Sequence, residues 1–303
     1  MLKPLIIPVI HHIDPGTTLA EAKLAIDCDA DGVMLISHTG KDEELLEVAC
    51  AAQRASRLFP VGVNLLSMSA IDAAKRAQEV GLSWVWADSM GVTSRGLDAM
   101  GQQMRDFARA NPEMTLFAGV AFKYQKPEPD PVEAAHQARL AGFVPTTSGV
   151  GTGHAPDIEK IRSMGQSGAL AIASGMTPEN VGAYAPYLTH VLVATGVART
   201  EHHIDPAKLS RLAKVARDTA LDGADIYGLM ADMMASSLTG RMMGFTREEL
   251  IARFKASHPD AKAFRQVVLA SMAEAKAAMI SRTDGSQFAV PVMDFAGLSG
   301  VKH

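Results

Sequence analysis

Cysteine is nearly absent: Cys28 and Cys50 are the only two in 303 residues, too few for a disulfide framework. They lack CxxC spacing and a neighbouring histidine pattern, which argues against a structural zinc, and two expected buried thiols suit a reducing, cytoplasmic setting. No lysine or arginine run occurs, and a net charge of -4 gives no general attraction to nucleic acid or an acidic membrane. Long apolar runs are missing as well. The stretch Met1 to Ile13 has no basic leader and is broken by Pro4 and Pro8, so it reads as a first strand rather than a signal peptide or membrane span. A full GxGxxG opening a helix after that strand is lacking, which argues against a dinucleotide fold.

What is present is enough apolar side chain, 48% of residues against 20% charged, to fill one large core. Eight short apolar segments recur at intervals of roughly 20 to 32 residues, each followed by an amphipathic stretch. They are Pro4 to His12, Asp31 to His38, Pro60 to Leu66, Ser83 to Met90, Leu116 to Lys123, Phe143 to Gly149, Ala169 to Ser174 and His190 to Thr195. Nearly unbroken Ile/Val/Leu cores suit parallel strands covered on both faces, and segments such as Thr18 to Ala30, Glu43 to Leu58 and Ile71 to Val80 have helical spacing. Eight strand–helix units predict a closed (β/α)8 TIM barrel over residues 1–220, with its site at the C-terminal mouth.

From Leu221 the pattern becomes all-helical, with helices predicted over Asp222 to Thr239, Thr246 to Ser257 and Pro259 to Ile280, then an irregular tail from Arg282. This extension, 221–303, is expected to pack on the barrel or a neighbouring subunit. Met230, Met233, Met234, Met242 and Met243 suit a homo-oligomer contact or plain packing on the barrel wall.

Two loops predict an anion seat. After strand seven comes Ser174-Gly175-Met176-Thr177-Pro178-Glu179-Asn180, and after strand eight Thr195-Gly196-Val197. Glycine at each strand end lets backbone N–H groups approach a phosphate, and Thr177 is placed to cap a helix starting at Pro178. The loops after strands seven and eight are the usual phosphate seat of such a barrel. Strand six ends in Ser148-Gly149-Val150-Gly151-Thr152-Gly153-His154, rich in glycine and hydroxyls and able to wrap a ligand.

Proton chemistry must come from the other strand ends: His11, His12 and Asp14 after strand one, then His38, Asn64, Asp88 and Lys123. Alternation puts Trp84, Trp86 and Asp88 on one face of strand four, and Gly119, Ala121 and Lys123 on one face of strand five. The small residues would leave room beside Trp86, and Asp88 and Lys123 would meet at the mouth. There Asp88 and His11 can move protons while Lys123 stabilises an anion or forms a Schiff base. Asp14, His11 and His38 form no compact ligand motif, so neither a metal nor another cofactor is expected.

The segments Pro60-Val61-Gly62-Val63-Asn64-Leu65-Leu66, Phe122-Lys123, Thr147-Ser148-Gly149 through Asp157, and Ser174 through Val181 resemble the BtpA/SgcQ family of barrels over about residues 4–215. That family looks like a relative of the ribulose-phosphate-binding barrels. The resemblance places family positions on Asn64, Lys123 and His11. It departs on strand five, where the family's Asp-x-His-x-Lys-His series is replaced by Gly119, Ala121, Lys123 and Tyr124. It also departs on strand one, where a proline-rich ending is replaced by His12-Ile13-Asp14. Acid/base or metal roles of those family positions therefore do not carry over. The expected function is an isomerase or lyase of a phosphorylated sugar or nucleotide-like metabolite; the alternative is a non-catalytic metabolite-binding or assembly protein on the same barrel.

Overall fold

The computed structural model describes residues 3–56, 59–222, 227, 230–231, 245–261, 263–264 and 267–268. The chain forms two compact units, one of Lys3–Ala220 and one that takes in the residues from Leu221 onward.

The first unit is a closed barrel of eight parallel strands: β1 Leu5–His11, β2 Val33–Ile36, β3 Val61–Asn64, β4 Trp84–Ala87, β5 Thr115–Gly119, β6 Val144–Thr147, β7 Ala171–Ala173 and β8 His190–Val193. Each falls within or next to its predicted segment. β1 closes the cylinder by pairing with β8 from Leu5↔His190 to Pro8↔Val193 and with β2 from Val9↔Met34 to His11↔Ile36. Alternation along the strands separates two apolar layers. Ile7, Met34, Ile36, Trp84, Trp86, Phe117, Ala171, Ala173 and Leu192 fill the interior. Ile6, Val33, Leu35, Val85, Leu116, Ala118, Ile172, Val191 and Val193 face the surrounding helices.

Those helices are α1 Pro15–Asp27, α2 Asp42–Ala55, α3 Ala70–Glu79, α4 Ala99–Ala110, α5 Pro131–Leu140, α6 Ile158–Gly165, α7 Val181–Tyr184 and α8 Pro206–Asp222. Their starts are set by side-chain caps: Asp14, Ser69, Asp98, Asp130 and Asp157 each accept a backbone N–H from the first turn. Asp14 is thereby occupied as a cap. His12 is equally committed, buried between Thr18 Oγ1 at 2.8 Å and Glu44 Oε1 at 2.7 Å. Of the two thiols, Cys28 is buried and Cys50 half-buried.

One local expectation holds in part and two fail for physical reasons. Thr177 does cap the turn that begins at Pro178, its Oγ1 accepting the Glu179 N–H at 3.2 Å and its carbonyl the Val181 N–H at 3.0 Å, but its own N–H donates to Asn180 Oδ1 at 2.8 Å, and the regular helix α7 starts only at Val181. Strand five ends at Gly119, and Ala121 adopts a left-handed backbone with φ 47°. That kink breaks the alternation, so Phe122, rather than Ala121 or Lys123, enters the interior, its ring 6.0 Å edge-on from Trp86. Gly119 makes no space for Trp86 either. A Cβ there would lie 1.9 Å from the Asp88 carbonyl oxygen, so the glycine admits the Asp88 main chain.

The opposite end of the barrel holds His190, 6% exposed, edge-on to Phe117 and bonded through Nδ1 to Thr189 Oγ1 at 2.7 Å. Burial lowers its pKa from the ordinary 6.5 to about 4, against a smaller upward pull from Asp31. The folded chain therefore resists a proton that the unfolded chain accepts. Its stabilising contribution is complete above pH 6.5 and is lost as the pH falls from there towards about 4, in all on the order of 3 kcal/mol. Urea unfolding across this window should show that decline in the wild type and a shallower one in His190→Gln. Equal slopes would refute the assignment.

In the second unit, helix α9 Arg247–Ser257 starts with a capping box between Thr246 and Glu249. Tyr227, Met230, Ala231, Leu250, Phe254, Phe264 and Val268 form its apolar cluster. Met230 is thus packed inside this unit, whereas Met233, Met234, Met242, Met243 and the tail lie outside the described residues.

Candidate active site

The C-terminal ends of the strands surround a cavity of about 600 Å³, part of it open to solvent. Val9, Ile36, Trp86, Ala173 and Leu192 form its apolar floor, continuous with the barrel interior. His11, His38, Lys123 and Thr152 supply polar walls, and Ser174, Gly175, Met176, Ala194, Thr195 and Gly196 complete the rim. Nine of the sequence-predicted residues converge here: His11, His38, Lys123, Thr152, Ser174, Gly175, Met176, Thr195 and Gly196.

The β7 loop meets both of its neighbours through the backbone. A Cβ on Gly196 in the β8 loop would lie 1.8 Å from Met176 O, and one on Gly175 would lie 2.2 Å from Ala155 N in the β6 loop. Gly175 also has φ 73°, a left-handed conformation favoured by glycine. Ser174 holds the rarer φ of 119°, and its hydroxyl ties the β6 loop down by donating to Gly151 O at 3.3 Å and accepting from Gly153 N at 3.0 Å. Among the described residues none accepts a hydrogen bond from the N–H of Gly175, Met176, Thr195 or Gly196. The Val197 N–H is taken by Ala194 O at 3.0 Å and its side chain is fully buried in the outer layer, so Val197 offers neither to a ligand.

Lys123 reaches across the mouth, its Nζ donating to Thr152 Oγ1 at 3.1 Å. Its own N–H donates to Ser148 Oγ at 2.7 Å, so buried Ser148 holds the lysine's backbone rather than lining the cavity. Gly149 brings its chain against the His154 carbonyl, where a Cβ would lie at 2.2 Å. Gly149, Gly151 and Gly153 thus shape the loop that presents Thr152.

His11 and His38 stand edge to face, with ring centroids 5.1 Å apart. Burial, then the neighbouring His38 and His202, hold the His11 pKa below its ordinary value. Its Nδ1 is buried and has no hydrogen-bond partner among the described residues. Asp88 is solvent-exposed as a residue, yet its carboxyl is crowded enough that desolvation raises its pKa, opposed in turn by Asn64, Lys123 and His38. Asn64 is 2% exposed and faces that carboxyl, though its Nδ2 falls short of a well-formed hydrogen bond. Asp88 and Asn64 therefore flank the cavity without lining it.

Sequence reasoning missed His202 and Glu201, which a hairpin of Ala198–Thr200 and His203–Ile204 brings beside His11. Two- and three-residue strands leave too little pattern to read. It also missed Lys160, although a lysine in the first turn of α6 leans towards the helix N-terminus and hence towards the mouth. Among the described residues no group of three or more His, Cys, Asp or Glu side chains is arranged to hold a metal ion. No helix among them is long and apolar enough to cross a membrane.

The class defined by these strands is a (β/α)8 barrel with a polar mouth over an apolar interior. No family model matches the chain, and no curated protein matches it in sequence. Solved structures match it in shape. A native KDPGal structure superposes with a TM-score of 0.53 at 15% identity, covering 71% of this chain and 95% of that one. KGPDC from Streptococcus mutans gives 0.53 at 11% identity, with 72% and 99% covered. N-(5'-phosphoribosyl)anthranilate isomerase from Pyrococcus furiosus gives 0.50 at 15% identity, with 71% and 99% covered. At these identities the likeness is one of fold.

Proposed function

We propose that this barrel is an enzyme of the ribulose-phosphate-binding type, acting on a phosphorylated sugar or nucleotide-like metabolite by proton transfer, as an isomerase or a lyase. The observation that carries this reading is the convergence of Lys123, His11 and His38 on the same cavity as the Gly175 and Gly196 loops. The motif likeness to the BtpA/SgcQ barrels and the phosphoribosyl substrate in the isomerase's name point the same way. The phosphate would anchor the remote end of the substrate at those two loops, and its binding energy would orient the reacting carbon towards the opposite wall.

There the electrostatics suit a proton shuttle. A lowered pKa keeps the His11 imidazole neutral and able to accept a proton, while a raised one lets the Asp88 carboxyl hold a proton closer to neutrality than a free carboxyl does. Lys123 would meet the negative charge that appears on oxygen as the proton leaves. A cytoplasmic homo-oligomer with the extension at its contacts belongs to the same reading.

Calorimetric titration with ribose 5-phosphate and with ribose, together with crystal soaks, tests it. The phosphate is expected between the Gly175 and Gly196 loops with the sugar towards Lys123, and ribose should bind at least roughly ten-fold more weakly. Equal affinities, or a phosphate seated elsewhere, would remove the proposed substrate class.

A further inference from the structure

We propose that Lys160 is a positioning residue that sets the place of Lys123. It stands in the first turn of α6 with its ammonium half-buried, and among the described residues no carboxylate pairs with it. Instead Nζ donates to two main-chain carbonyls from different loops, Ala121 O at 2.8 Å and Ser148 O at 3.0 Å. Burial lowers its pKa, as expected of an amine drawn out of water without a counter-charge.

Both acceptors adjoin Lys123. Ala121 lies two residues before it and carries the left-handed backbone that ends the β5 alternation, and its carbonyl also accepts from Thr147 Oγ1 at 3.2 Å. Ser148 grips the Lys123 N–H with its hydroxyl. One ammonium thus fastens the chain on either side of the Lys123 amide, and the Lys123 side chain then runs to Thr152 on the same β6 loop. Charged donors make the stronger hydrogen bonds, and an alanine held at φ 47° needs such an external hold because nothing intrinsic to alanine favours it. Remove the ammonium and Ala121 is free to relax, which releases Lys123 from the cavity wall.

This inference rests on Lys123 being the cation of the cavity, but its test needs no substrate. Intact protein is labelled with limiting trinitrobenzenesulfonate, and the rate at each lysine is read by peptide mass spectrometry. In Lys160→Met the Lys123 rate should rise about five-fold or more, the consequence of losing one charged hydrogen-bond donor. Lys160→Arg, which can still reach both carbonyls with a fork of donors, should bring it back towards the wild-type rate. Lys75, exposed on α3, should not change in either variant.

An unchanged Lys123 rate in Lys160→Met, or a parallel rise at Lys75 that marks general loosening, would overturn the proposal. Should that variant fail to fold, Lys160→Gln, which keeps a neutral donor and removes the charge, is expected to raise the Lys123 rate by a smaller factor while Lys75 stays unchanged; no rise there overturns the proposal too. Because no phosphorylated compound enters the assay, it stands or falls apart from the ribose 5-phosphate titration.

Discussion

Gly119→Ala should be among the most damaging single substitutions in this chain, costing on the order of 4 kcal/mol and displacing Asp88. The added Cβ would lie 1.9 Å from Asp88 O, 2.6 Å from its carbonyl carbon and 3.1 Å from its Cα. Every obstructing atom is main chain, so no rotamer change relieves the clash. Either β5 slips outward from its partner β6, where Gly119 is in register with Thr146, or the β4 end retreats. Clashes of this kind belong to the small group of mechanisms that exceed the usual range of point-mutant effects. Urea unfolding gives the stability loss. A wild-type midpoint would mean that the β4 and β5 ends do not meet as described.

Gly196→Ala should act on the other side of the mouth. Its Cβ would lie 1.8 Å from Met176 O and 2.8 Å from the Met176 carbonyl carbon, again main chain. The β7 and β8 loops must then separate, at a cost of about 3–4 kcal/mol. If they form the phosphate seat, the variant also loses the rise in melting temperature that excess inorganic phosphate gives the wild type, since a ligand stabilises only a state that binds it. Retention of that rise would place the anion somewhere other than between Gly175 and Gly196, even if the protein were weakened.

The barrel was legible because its signal is repeated and redundant. Most of the strands are apolar on both faces, so segments such as Val33–Ile36 and His190–Val193 announce themselves whatever their flanks do. The mouth was legible only where chain position decides the outcome, as for His11 at the end of β1 and Gly175 after β7. It was not legible where backbone geometry departs from the residue's own preference. Alanine gives no warning of φ 47°, and that single angle puts Phe122 into the interior. Thr177 and Asn180 are both good capping types three residues apart, and the turn that closes between them delays the regular helix to Val181 although Thr177 Oγ1 still accepts the Glu179 N–H. Lys160 looks like any surface lysine of an amphipathic helix until two carbonyls from separate loops are seen on its Nζ.

The closure of the cylinder bears on how the chain is made. Leu5–His11 leave the ribosome first among the strands, but half of their pairing partners are His190–Val193, which leave last. Until residues 190–193 have been made the opening strand carries bare main-chain donors and acceptors along one side, the kind of edge that invites pairing with other nascent chains. Chains halted before residue 190 should accordingly aggregate or recruit chaperones, and the cylinder can seal only once translation has passed β8.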